Sequence, residues 1–176
     1  EIAKKNKDFK NINVMLLFPD GYREIIDFSL DQLNYEVENK VNKLNIINLP
    51  TGKRIKKILL IRFEILNNDL EFYKKTFNHL LIPNNFKLLN KNLYKTVDKI
   101  WYLAGDQSTD FNFYTKRLTL ALIYINALMV FYNKGFDKVE NNLDKSLLKI
   151  SKIPKIKNKL DFLKKNAPIF IKGLMN

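Results

Sequence analysis

Apolar residues return every three or four positions along nearly the whole chain, the spacing that puts them on one face of an α-helix. Tyr22, Ile25, Ile26, Ser29, Leu33, Val37 and Val41 mark a long amphipathic helix, opened by the turn Phe18-Pro19-Asp20-Gly21 and closed before Pro50-Thr51-Gly52. Ile55, Ile58, Leu59, Arg62, Phe63 and Leu66 mark the next. Asn68 or Asp69 stands where a cap is wanted for a helix running to Leu81, and Pro83 ends it. Phe86, Leu89, Leu93, Val97, Ile100, Trp101 and Ala104 form a further stripe, followed by Gly105 at the place of a left-handed C-terminal cap. Phe111–Tyr132 is polar at its start and apolar nearly all round from Leu118, which predicts the central, buried helix. Val139, Leu143, Leu147 and Ile150 give another, closed by Pro154. Short helical segments are expected at Glu1–Asn6 and Ile12–Phe18. No strand-like alternation competes, so the chain is expected to be all-α, with roughly eight or nine helices.

Composition narrows the chemistry. The chain has 176 residues, enough for one domain with a sizeable core. It has no Cys, which removes disulfides, thiolate nucleophiles and Cys-ligated zinc. The single His, His79, excludes multi-His metal sites and is expected to be a partly exposed structural residue at a helix end. The formal net charge is +13, supplied almost wholly by Lys, since Arg occurs only at Arg23, Arg54, Arg62 and Arg117. That balance suggests diffuse attraction to an anionic partner, nucleic acid or membrane, and a Lys-, Asn- and Ile-rich coding bias accounts for part of it. The longest apolar stretch, Leu118–Tyr132, is interrupted by Asn126 and is shorter than the ~20 residues a spanning helix needs. The chain does not begin with Met and is expected to start inside a longer protein.

The densest chemistry lies between Thr96 and Arg117, around one tight helix–helix joint holding the only Trp, a Gly, acidic residues, aromatics and a Lys-Arg pair. Asp106 and Asp110 flank the joint. They could meet a cationic patch on a partner, or Asp110 could simply cap the following helix while Asp106 ends a turn. If Tyr114 faces the core beside Phe111 and Leu118, Phe113 faces outward as an interface anchor; packing of Phe113 beneath a neighbouring loop is the alternative. Lys116 and Arg117 could pair with Asp110 or with a partner's carboxylates. Trp101 reads as core, in line with Val97 and Ala104. The two carboxylates lack an apolar substrate pocket, and Ser108 and Thr109 lack a base. No Gly-rich phosphate loop occurs. No catalytic residue is expected.

The segment from Lys152 to Asn176 interleaves Lys152, Lys155, Lys157, Lys159, Lys164, Lys165 and Lys172 with Ile, Leu and Phe, and Asp161 is its only acid. A basic helix with such an apolar face suits the interface of an anionic bilayer. Ile156, Lys157, Leu160, Leu163, Lys164, Lys165, Ile169, Phe170 and Leu174 are the expected membrane contacts, with Pro168 kinking the helix. Packing on the chain's own domain or on a second subunit is the competing reading.

The run IWYLAGDQSTDFNFYTKR, Ile100 to Arg117, closely resembles the most characteristic motif of the Coq-nine family of ubiquinone-biosynthesis accessory proteins, approximately IWxxAGDxSTDFNWYTKR. Weaker similarity extends over most of the chain. The motif departs at Phe113, where the family usually has Trp, so the ring is kept and the indole N–H is lost. The resemblance, to a family also described as rpsU-divergently transcribed, implies a TetR-like helical bundle and a non-catalytic protein. It implies a helix-turn-helix remnant and connecting helix over residues 1–45, a lipid-binding helical core over 46–151, and a membrane-associating tail over 152–176.

It also implies an isoprenoid quinone or precursor as bound lipid, with no other cofactor and no metal. The cavity would be lined by Leu59, Phe63, Leu66, Leu93, Val97, Ile100, Trp101, Phe111, Leu118, Leu122 and Ile125. A patch of Asp106, Ser108, Thr109, Asp110, Phe113, Tyr114, Lys116 and Arg117 would dock the demethoxyubiquinone di-iron hydroxylase. The expected place is peripheral on an inner membrane, on the bacterial cytoplasmic or mitochondrial matrix side, and the expected state is a homodimer. The competing reading is a TetR-like transcriptional regulator with an apolar ligand pocket. Glu1–Phe18 argues against it, because Val14-Met15-Leu16-Leu17-Phe18 offers few side chains for base edges. No specific nucleic acid is therefore expected.

Overall fold

The computed structural model describes residues 14–108 and 111–151. Among these residues it is all-helical: α1 (Val14–Leu17), α2 (Tyr22–Asn42), α3 (Thr51–Asn68), α4 (Leu70–Leu80), α5 (Phe86–Leu103), α6 (Phe111–Lys134) and α7 (Val139–Ser151). Single 3₁₀ turns, Pro83–Asn85 and Phe136–Lys138, lead into α5 and α7. The expected eight or nine helices thus become six long ones and a single turn among the described residues, in part because Glu1–Asn6 and the tail lie outside them. None of these helices is long and apolar enough to cross a membrane.

The periodic stripes become the buried faces. On α2 they are Ile26, Leu33, Val37 and Val41. On α5 they are Leu93, Val97 and Ile100. The core also takes Ile55, Ile58, Leu59, Phe63 and Leu66 from α3, Leu120, Ala127 and Phe131 from α6, and Val139 and Leu143 around the start of α7. It therefore runs across residues 45 and 46, with α2 sharing one core with the described helices that follow.

One expectation about the core is corrected. The helix with the widest buried face is α3, packed on α2, α4, α5 and α7, with Lys53, Lys57 and Glu64 left on its exposed side. Helix α6 instead keeps Tyr114, Leu122 and Met129 exposed, because only the opposite face meets α5 and α7. Helix α7 returns antiparallel along α6, the arrangement a short connection dictates, and Asn142 Nδ2 donates to Asn126 Oδ1 at 2.9 Å.

Much of the Lys charge is spent within the bundle. Lys91, Lys95 and Lys99, one turn apart on α5, reach Asp27, Asp31 and Glu38 on α2 at 2.7–2.9 Å. Burial alone would raise the Asp27 carboxyl, but the hydrogen bond from Lys91 and the charge of Lys95 outweigh it and hold Asp27 below its ordinary range. His79 is half-buried with its ring edge-on to Tyr22, centroids 4.4 Å apart.

Candidate functional site

Helix α5 ends where Gly105 takes φ +81°, a left-handed conformation that only Gly adopts freely. The Gly105 and Asp106 amides turn back to the Tyr102 and Trp101 carbonyls at 2.9 and 3.0 Å, satisfying two acceptors in the last turn of α5. A Cβ on Gly105 would stand only 3.0 Å from Arg54 Nη1. Arg54, at the start of α3, donates through Nη1 to the Ala104 carbonyl at 2.9 Å and through Nε to the Leu49 carbonyl at 2.6 Å. The joint is thus tied to the α2–α3 loop.

Asp106 is the hub. Its side chain is 5% exposed, and its two oxygens accept from Lys116 Nζ at 2.6 Å, Ser108 Oγ at 2.8 Å and Arg117 Nη1 at 3.3 Å. Burial pushes this carboxyl up, and the bonds from Lys116 and Ser108 more than reverse the push, leaving it below the usual carboxylate range. Arg117, itself buried, donates at 2.6 Å to Asp98 on α5 and at 3.2 Å to the Phe113 carbonyl. Its guanidinium carbon lies 3.2 Å from the centroid of the Phe113 ring, a stacked cation–π contact. Lys116 lies over the Trp101 ring at 5.5 Å.

This arrangement revises the residue roles expected of the patch. Asp106, Ser108, Lys116 and Arg117 do come together, but as an internal lock in which each charge already has a partner. Lys116 pairs with Asp106, and Arg117 with Asp106 and Asp98, because the turn at Gly105 folds Asp106 back under α6. Phe113 and Tyr114 exchange roles: Phe113 is half-buried under Arg117, while Tyr114 is 53% exposed. Tyr102, 65% exposed, and Tyr114 are the large side chains this face leaves exposed. An open groove of about 780 Å³ beside it is bounded by Asp31, Tyr35 and Glu38 of α2, Tyr94 and Tyr102 of α5, and Phe113 of α6. Thr109 and Asp110 lie outside the described residues, as does every expected membrane contact in the tail.

A second feature lies inside the bundle. Arg62 is 1% exposed, on the apolar stripe of α3. Nε donates to Tyr124 Oη at 2.7 Å, Nη1 to Asn34 Oδ1 at 2.7 Å and Nη2 to Thr96 Oγ1 at 3.2 Å. All three acceptors are neutral, so the guanidinium is neutralised by none of them. It borders a largely apolar cavity of about 50 Å³ between α2, α3, α4, α5 and α6. Leu66, Leu93 and Ile125, three of the eleven residues expected to line a lipid cavity, border this small one, joined by Tyr73, Phe77, Leu89 and Tyr132. Burial pushes the Tyr73 and Tyr132 hydroxyls up, so both stay protonated. Leu59, Phe63, Val97 and Ile100 do not line it, because they are closed into the core. Trp101 is only half-buried, at the joint, and Leu118 is half-buried. Leu122, 63% exposed, faces away from the core. Nothing is described of the Phe111 side chain.

Sequence reasoning missed Asp98, Arg54 and the Arg62 network. The one available signal was an Arg in an otherwise apolar stripe at Arg62; neither Asp98 nor Arg54 breaks any local pattern.

The fold and joint define a class, an all-helical bundle with a charge-locked turn between α5 and α6. Residues 86–154, which contain that turn, match the family model described as COQ9, in agreement with the resemblance read from Ile100–Arg117. The chain is 33% identical over 115 residues to the mitochondrial ubiquinone biosynthesis protein COQ9 of Bos taurus, covering 61% of this chain and 36% of the relative. It is 26% identical over 166 residues to the mitochondrial COQ9-B of Xenopus laevis, covering 90% and 57%. It is 27% identical over 108 residues to the mitochondrial coq9 of Schizosaccharomyces pombe, covering 61% and 43%. The chain thus spans between about a third and somewhat over half the length of these relatives.

Proposed function

We propose that this chain acts in ubiquinone biosynthesis as a non-catalytic accessory protein. It holds an isoprenoid quinone or precursor, docks the demethoxyubiquinone hydroxylase through the face around Tyr102 and Tyr114, and works at the surface of an inner membrane as a homodimer with a TetR-like fold. The relatives' names favour the mitochondrial compartment. The observation that carries the reading is the joint, whose buried lock holds a family motif in one geometry while leaving two tyrosines exposed.

The cavity beside Arg62 supports a lipid in one respect and constrains it in another. Its walls are apolar and aromatic, with a few polar groups. At about 50 Å³ it holds a water or two, far below the roughly 300 Å³ of small ligand sites. Binding a prenyl chain therefore requires a wall to move. Helix α4 is the wall that can yield at least cost, since only Thr76 and Leu80 on it are fully buried.

The test is mass spectrometry of lipids extracted from the purified chain, beside a mock purification from the same membranes. Enrichment of a polyprenyl quinone or precursor is expected. Bulk phospholipid alone would leave a membrane-surface protein without a selective pocket, and no lipid would overturn the presenting role. Tyr114→Ala is expected to weaken capture of the hydroxylase at least tenfold, as loss of an exposed aromatic anchor should.

A further inference from the structure

From Asn39 to Phe63 the chain contains no Asp or Glu. The middle of that stretch is the loop between α2 and α3, and it displays three large apolar side chains to solvent: Leu44 (41% exposed), Ile47 (74%) and Leu49 (36%). Lys43 in the loop and Lys53 and Lys57 on the first two turns of α3 are exposed and without an ion pair among the described residues. Lys56 by contrast is taken up by Glu140 and Asp144 of α7 at 2.9 and 2.7 Å.

The loop is held in shape. Ile46 is buried as its anchor, and successive turns are closed by the Leu44, Ile46 and Leu49 amides at 2.9–3.0 Å. Arg54 clamps the Leu49 carbonyl to Ala104. Fixing three apolar side chains outward in a preformed loop removes most of the ordering cost of burying them elsewhere.

We propose that the α2–α3 loop is a membrane contact, inserting Leu44, Ile47 and Leu49 at the surface of an anionic bilayer while Lys43, Lys53 and Lys57 meet the headgroups. The chemistry matches on both counts. Apolar tips gain by leaving water, and unpaired Lys within reach of a negative surface adds attraction without the repulsion an acid would bring. The location agrees as well. Lys56 ties the first turns of α3 to α7, the helix whose chain runs on into the basic segment 152–176, and Arg54 ties the loop to the joint. One bilayer could therefore be gripped by loop and tail together, with the tyrosine face close by. The site is separate from the tail and predicts binding that the tail alone does not account for.

Co-sedimentation of the full chain with vesicles of phosphatidylcholine alone, or with 30% cardiolipin, tests it. Ile47→Asp is expected to lower binding to the cardiolipin vesicles by about tenfold or more, since it removes an inserted apolar group and adds a repelled charge. Ile82→Asp is the control. Ile82 is 45% exposed beside Asn85, whose side chain contacts Tyr22 at the opposite end of α2, about 30 Å from the loop. It should leave binding unchanged. Ile47→Trp, in a Trp101→Phe background, should give indole emission that shifts to shorter wavelength on the vesicles and is quenched by brominated lipid. Equal losses for the two Asp variants, full binding by Ile47→Asp, or an unquenched probe would each overturn the proposal. So would tight binding of DNA duplex that Ile47→Asp weakens equally, which would mark the loop as a general polyanion surface.

Discussion

Arg117 on α6 donates to Asp98 on α5 at 2.6 Å, across the turn that Asp106 fills from below. One guanidinium therefore bridges two carboxylates from two segments, and its stack on Phe113 fixes its plane. The carboxylates are not equivalent: Asp98 is 41% exposed in its side chain, Asp106 only 5%.

Asp106→Asn should therefore cost far more than Asp98→Asn. Removing one partner of a buried ion pair costs about 3–5 kcal/mol, whereas an exposed partner is worth about 0–1. Urea unfolding followed by circular dichroism would measure both. Equal losses would contradict the lock.

Acid should act on the same carboxyl. Its folded value is depressed, so its contribution is present above the ordinary carboxylate value of 3.8 and is lost as pH falls through the lower folded value. The gap in Tm between the wild type and Asp106→Asn is expected to be wide at pH 7 and to narrow below about pH 4. A gap that widens in acid would contradict the depressed carboxyl.

Gly105→Ala should destabilise on two counts, the left-handed φ and the 3.0 Å approach to Arg54. Backbone strain alone gives about 1–2 kcal/mol. Pairing it with Arg54→Met should leave the strain and remove the clash, so the two changes should be less than additive by thermal unfolding.

Arg62→Met should cost about 1–3 kcal/mol by taking the short donor from Asn34 Oδ1, leaving it only the long bond from Thr96 Oγ1 at 3.5 Å. Adding Asn34→Leu should recover much of that loss, because an apolar pair of similar size can replace a buried polar one. A double variant worse than the single would show that the network fixes the packing rather than only satisfying its own charge.

The helical stripes were legible because burial of one helix face leaves a period of 3.6 in the sequence. The Gly105 turn was legible because only Gly takes that conformation freely. The family motif was legible because it is long and contiguous. Ile100–Arg117, however, did not disclose which of its charges were already satisfied. Asp98 and Arg54 lie outside the motif or far from it, and they meet it only once α3, α5 and α6 are folded together. The orientation of Phe113 and Tyr114 turned on where Arg117 was drawn by Asp98. The wider buried face of α3, compared with that of α6, depended on how many neighbours each helix has. The sequence by itself determined the helices, their buried faces and the position of the joint, because these follow from local period and backbone sterics. Tertiary structure decided which charges are locked, how small the cavity is and that a Lys-rimmed apolar loop faces outward, because those depend on contacts between residues tens of positions apart.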